Sequence, residues 1–174
     1  IVVNGDSWAD GISAGVMSAE AGWPIVLQTK TGNNASAKKT IDAYLALTSS
    51  VKTFIIVGGT GALSTDTESY LINTKAVKPA NIIRLSGADR YATSLRVNNY
   101  VRGITVAPFN LILGVNTALV SGESPWDALA ATSWAAKNNA LVQLTPAAGG
   151  NASVATLAAT YAAVSAGSAA AAGD

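Results

Sequence analysis

Two arginines, an aspartate and a tyrosine crowd into Arg84-Leu85-Ser86-Gly87-Ala88-Asp89-Arg90-Tyr91-Ala92-Thr93, in a chain where charged residues make up only 12%. Guanidinium groups present planar arrays of donors that match carboxylate and phosphate oxygens two at a time. Gly87 permits a turn, and Asp89 stands where a helix begins, with Arg90 and Tyr91 on its first turn. Two uses fit the pattern: an Asp–Arg pair that pins the turn, or a fork of donors for an anionic ligand. A second candidate is Phe54-Ile55-Ile56-Val57-Gly58-Gly59-Thr60-Gly61-Ala62-Leu63-Ser64, a strand, a Gly-rich turn and a helix start. Glycines let backbone approach a ligand, and the amides at a helix start attract anions. The segment departs from a dinucleotide fingerprint, because Gly59–Ser64 ends in serine and no acidic residue follows in Lys78–Ile83. It also lacks the Gly-Lys-Ser/Thr of a phosphate-binding loop. A tight strand-to-helix turn is expected there, with no cofactor.

Asp10 and Asp127 stand at equivalent helix starts, where a carboxylate favours the helix dipole or caps amides. Catalysis by paired carboxylates would need two acids facing one cleft, and the spacing does not show that. Trp8 and Trp126 lie at the same junctions and suit either stacking on a sugar ring or packing against a neighbouring module. Gly5-Asp6-Ser7-Trp8-Ala9-Asp10-Gly11 looks at first like the nucleophile block of a Gly-Asp-Ser esterase, with Ser7 attacking. Its 174 residues include no histidine, so the base is missing, and Ser7 reads as part of a turn and cap.

Composition narrows the field further. With no cysteine, disulfide scaffolds and Cys/His zinc sites are impossible. The net charge of +1 lacks the basic excess of a nucleic-acid binder. No apolar run reaches the ~18 residues of a membrane helix, and no signal peptide opens the sequence. A hydrophobic fraction of 49% is ample for the core of one domain or two small ones. The expectation is a soluble, weakly charged globular protein that lacks the commonest catalytic equipment, with neither nucleic acid nor membrane as a partner.

The elements that must position these residues follow from the apolar pattern. Short aliphatic runs recur at Ile1–Val3, Pro24–Leu27, Phe54–Val57, Ile82-Ile83, Ala118–Val120 and Leu141–Leu144. Ala-rich stretches with helical spacing separate or follow them, roughly 9–22, 36–49, 64–74, 89–101, 125–138 and 153–164. Strands alternating with helices argue for an α/β fold with a parallel sheet covered on both faces. Ser7 or Asp6, Ser36, Ser64 or Thr65, and Ser124 before Pro125 are the expected helix caps.

The chain also repeats itself. Val3-Asn4-Gly5-Asp6-Ser7-Trp8-Ala9-Asp10-Gly11-Ile12-Ser13-Ala14 matches Val120-Ser121-Gly122-Glu123-Ser124-Pro125-Trp126-Asp127-Ala128-Leu129-Ala130-Ala131 in the frame Val-x-Gly-acid-Ser-x-x-Asp. Each copy continues through an Ala-rich helix into a strand, so the repeat is a whole module. Two related modules are expected, with a boundary near Pro79–Arg84. Asn34-Ala35-Ser36 and Asn151-Ala152-Ser153 match glycosylation sequons, triplets that arise often by chance.

These motifs resemble those of the cell wall-binding type 2 repeat, a module that anchors surface-layer and other secreted proteins of Gram-positive bacteria. Ile83–Thr93 resembles its opening motif, and Gly5–Ser13 and Gly122–Ala130 resemble its helix junction. Pro24–Thr29, and more weakly Ala140–Thr145, resemble its aliphatic strand; Ile55–Ser64 resembles its Gly-Gly segment. The resemblance implies tandem small toprim-like (Rossmann-like) modules with mostly parallel sheets flanked by helices, and threefold association through tandem repeats or self-association. It implies noncovalent anchoring at the extracellular cell wall or surface layer, through an anionic wall polymer (teichoic-acid-like or an acidic polysaccharide), without catalysis. Arg84, Asp89, Arg90 and Tyr91 match the opening motif, and Ile25, Val26 and Leu27 the strand associated with polymer binding. Arg84 and Arg90 are the expected ionic contacts, with Asp89 orienting Arg90 and Tyr91 packing or stacking. Val26, Gln28 and Gln143 depart from the family's strand. The expected organisation is an incomplete first repeat over 1–83, a second over 84–165 and an Ala/Gly-rich tail over 166–174, as in a fragment of a longer protein. An assembly module without polymer affinity, or a polysaccharide hydrolase using Asp10 or Asp127, are the alternatives.

Overall fold

The aliphatic runs become strands that pair in parallel. In the computed structural model, which describes residues 1–47, 52–103, 116–147 and 155, strands β1 (Val2–Asn4), β2 (Val26–Gln28), β3 (Phe54–Val57) and β4 (Ile82–Leu85) form one sheet in the order β2-β1-β3-β4. Val2 lies opposite Val26 on one side and Ile56 on the other, and Phe54 lies opposite Ile82. Alternate side chains serve opposite faces, as the two-residue period of a strand requires. Val2, Phe54 and Ile56 pack with Ile41 of α2 (Ala35–Ala46), Leu63 and Leu71. Val3, Ile55, Val57 and Leu85 pack with Ala14 and Met17 of α1 (Trp8–Ala21), and with Val97 and Val101 of α4 (Arg90–Gly103). The sheet is therefore covered on both faces, the α/β architecture expected from its near-continuous apolar strands.

The second sheet is a parallel pair, β5 (Thr117–Ser121) with β6 (Leu141–Thr145), flanked by α5 (Pro125–Lys137). Helix α1 meets α5 where Gly15 faces Thr132, and a Cβ on Gly15 would come within 2.4 Å of the Thr132 methyl carbon. Helix α4 covers the outer edge of β6 with buried polar side chains. Ser94 donates to the Val142 carbonyl and accepts from the Leu144 amide (3.2 and 3.1 Å), and Asn98 donates to the same Val142 carbonyl at 3.0 Å. The fully buried Gln143 donates to the Tyr91 carbonyl at 3.0 Å and accepts from Asn98. An open strand edge is thereby capped by side chains. Gln143, a departure in the sequence, is a tie between α4 and β6.

The repeat is reproduced bond for bond. Gly5 donates its amide to Gln28 and Gly122 donates to Thr145, at 2.7 and 2.8 Å. The side chain of Asp6 accepts from the Lys30 amide, and that of Glu123 from the Ala147 amide. Ser7 and Ser124 occupy the cap positions of α1 and α5 without a side-chain cap bond. For α2 the cap is Asn34 rather than Ser36: the Asn34 side chain accepts from the amides of Ser36 and Ala37. Asparagine is as good a cap as serine, and its position two residues earlier starts the helix there. The expected 64–74 helix divides into a short α3 (Asp66–Ser69) and a π-helical turn (Tyr70–Thr74). The helix expected over 153–164, the second sequon and the 166–174 tail lie outside the described residues, apart from Ala155.

Candidate functional site

Parallel strands deliver all their following turns to one end of the sheet, and ligand crevices form there where the connections diverge to opposite sides. Here β1 leads outward to β2, while β3 and β4 lie on the other side of β1. At that end a cleft of about 410 Å³ is lined by Ser7, Ala9 and Asp10 after β1, by Gly59–Ala62 after β3, and by Gly87–Arg90 and Thr93 after β4. Three segments that the sequence offered separately thus converge on one cavity. Its volume falls within the range of small-molecule sites.

Asp10 forms part of the cleft wall. It is 7% exposed, and its carboxylate accepts no hydrogen bond among the described residues. Burial pushes its carboxyl above the ordinary range, and the nearby Arg90 guanidinium partly offsets that. Gly58 lets the backbone pass over it: its φ of +119° is a conformation that disfavours other residues, and a Cβ there would sit 2.6 Å from Asp10 Oδ2. Beyond Gly58, the amides of Gly59, Thr60 and Gly61 have no partner among the described residues. Unpartnered amides beside a guanidinium are an arrangement suited to anions.

Arg84 lies behind this turn rather than in the cleft lining. Its Nε and Nη2 donate to both oxygens of Glu68 at 2.9 and 2.8 Å, and Nη1 donates to the Gly58 and Leu63 carbonyls at 2.8 and 3.0 Å. The side chain is half-buried, and a direct ionic contact to a ligand would have to break this bidentate pair. Arg84 holds the ends of the Gly-rich turn. Glu68, its partner, escaped sequence reading because nothing local links residues 68 and 84.

Asp89 caps α4, accepting from the Ala92 amide at 2.7 Å, and makes no ion pair with Arg90 among the described residues. The expected Asp89–Arg90 pairing is thus replaced by a helix cap, the use that a carboxylate at this position finds most readily. Arg90 donates to the Gly122 carbonyl and lies 5.5 Å above the Trp8 ring. Arg90 is also part of the cleft lining. Gly87 is required: a Cβ would come within 2.5 Å of the Ala92 carbonyl carbon, where the chain doubles back onto α4. Tyr91 packs against Ala9, Ala128 and Leu144.

The remaining candidates lie elsewhere. Ile25 and Val26 pack at the margins of the two cores, while Leu27 is 59% exposed on β2, the edge strand farthest in sheet order from β4. None of the three lines the cleft. Asp127 is exposed at the second junction and does not join Asp10 there. Trp126 is 75% exposed. Among the described residues no cluster of acids forms a metal site, and no helix is long and apolar enough to cross a membrane.

The fold has solved counterparts. Cwp8 from Clostridium difficile aligns with 87% of this chain at TM-score 0.70 and 24% identity, and Cwp6 from the same organism with 83% at TM-score 0.64 and 27% identity. The chain spans 23% and 20% of those two proteins. Among curated proteins no relative matches. The family model for cell wall binding domain 2 matches residues 1–68 and 84–173, and such membership places the protein at the cell wall or cell surface. Two parallel sheets, the duplicated glycine junctions and, decisively, this match over most of the sequence establish that the chain belongs to the cell wall binding domain 2 (CWB2) family.

Proposed function

We propose that this chain is a non-catalytic anchor that attaches a larger surface protein to the wall by binding an anionic secondary polymer in the cleft. The observation that supports this reading is the convergence of three unpartnered amides and Arg90 on one cavity. Arg90 and the amides of Gly59–Gly61 are the proposed contacts for the polymer's anionic groups. Arg84 positions the turn that carries those amides, Asp89 fixes the start of α4, and Tyr91 seats that start against the second sheet. Ile25, Val26 and Leu27 act through the first module's edge rather than through the cleft. We divide the chain at residue 84 into an incomplete first repeat and a second repeat reaching 165, with 166–174 as a tail. Threefold association would repeat the cleft along the polymer, so that weak contacts add through avidity.

Cosedimentation with purified Gram-positive walls tests this, before and after the secondary polymer is stripped and across a salt series. Retention should vanish with the polymer and fall as salt rises, since exposed charges are screened. Arg90→Gln should weaken it at least threefold. Equal retention on stripped walls would overturn the reading.

A further inference from the structure

The cleft holds a feature that an anion site alone does not explain. Asp10 places a carboxylate in the wall of the same cavity that offers free amides and a guanidinium. An anion bound there would be repelled by it. The residue as a whole is buried, but its carboxylate oxygens open onto the cleft and meet no protein donor among the described residues. Arg90 is the charged neighbour of Asp10, but its guanidinium donates to the Gly122 carbonyl instead. Asp89, the other carboxylate of the lining, is occupied in capping α4. An ionised carboxylate is acceptor-only, so what completes Asp10 is a hydrogen-bond donor.

We propose that Asp10 accepts a hydroxyl hydrogen from a sugar unit of the wall polymer, so that the cleft recognises a hydroxyl-bearing ring beside its anionic group rather than the anionic group alone. This rests on the polymer-binding reading above and names the chemistry of that same site. Donors and acceptors are arranged for such a unit. Asp10 supplies a strong acceptor, the amides of Gly59, Thr60 and Gly61 supply donors, and the hydroxyls of Ser7 and Thr60 do either. Ser7 is free for this, because it makes no cap bond at α1. The cavity of about 410 Å³ has room for a sugar ring with its linkage. A bond to an ionised acceptor is stronger than one between neutral partners, so Asp10 would dominate recognition of the ring.

The test uses the full chain and three probes: the intact secondary polymer, the neutral oligosaccharide left when hydrofluoric acid cleaves its phosphodiesters, and orthophosphate. The neutral oligosaccharide should displace bound polymer in a manner insensitive to salt, and orthophosphate should displace it only weakly. Asp10→Asn keeps the side chain's shape while removing its charge, and should lower the oligosaccharide's affinity about tenfold without lowering the thermal midpoint. Gly61→Leu is the second variant: a Cβ at Gly61 meets no atom within 4 Å, so the side chain can occupy the cleft without disturbing the scaffold. It should lose the oligosaccharide as well. If the oligosaccharide fails to compete, or competes equally for Asp10→Asn, while intact polymer still binds, the sugar assignment is overturned and the anchor reading stands. Failure of the intact polymer to bind the unaltered chain overturns both.

Discussion

The junctions Val3–Ala14 and Val120–Ala131 share a frame, a glycine bond and an acidic side chain that receives a downstream amide. Their aspartates nevertheless end in different places: Asp10 is buried in a cleft, and Asp127 is exposed. What flanks the first strand makes the difference. β1 has β3 and its Gly-rich turn beside it, with β4 beyond, whereas β5 has only β6 beside it among the described residues. A duplicated turn supplies the same carboxylate twice, and the neighbouring strand decides whether that carboxylate faces a cavity.

The contrast can be broken most severely at Gly58. Gly58→Val must adopt a disfavoured backbone and push against Asp10, costing about 3–5 kcal/mol of unfolding free energy in urea titration. A loss below about 1 kcal/mol would mean that the turn does not cover Asp10 as described. Next comes the brace behind the turn. Arg84→Ala leaves Glu68 and two carbonyls without their donor and should cost about 2–4 kcal/mol by the same titration.

The paired glycines sharpen the comparison. Gly122→Ala would put a methyl 2.5 Å from the Tyr91 ring, in a packed boundary, and should cost about 1–3 kcal/mol. Gly5→Ala meets the Cβ of exposed Leu27 at 3.1 Å and should cost less than about 1 kcal/mol. Equal losses would mean that the two junctions are equally constrained. The aspartates give the smallest effects, with opposite behaviour expected. Asp10 has a carboxyl raised above its ordinary 3.8, so the folded state holds its proton more tightly than the unfolded one. Stability from this group is full below pH 3.8 and declines as pH rises through the folded-state value. Asp10→Asn should therefore gain a few degrees of thermal midpoint at neutral pH and lose that gain in acid. Asp127→Asn should stay within about 1 °C of the unaltered chain, as exposed substitutions usually do. Calorimetry across pH measures both.

Much of the architecture could be read locally. Phe54–Val57 is a strand in the sequence and in the structure, because four consecutive aliphatic or aromatic side chains must be buried on both faces. The start of α2 is set by Asn34 and not by Ser36, because both are good caps and only the backbone path chooses between them. For the cleft, the Gly-rich turn, Asp10 and Arg90 each stand out in the sequence, but their convergence depends on strand order. The Asp10–Gly58 approach and the Arg84–Glu68 brace join residues with no shared periodicity. Identical local frames also could not distinguish Asp10 from Asp127, since burial is conferred by strands that lie elsewhere in the chain.

The pairing of β4 carries a consequence for how such proteins can be cut and recombined. The second stretch of family match opens at residue 84, inside a strand whose partners are all in the preceding sheet. A cut at residue 84 would therefore divide a strand from its own first residues. A crossover at that boundary would exchange the brace Arg84 and the tip of β4 along with the downstream module, so any grafted module must bring a strand that fits its new neighbour.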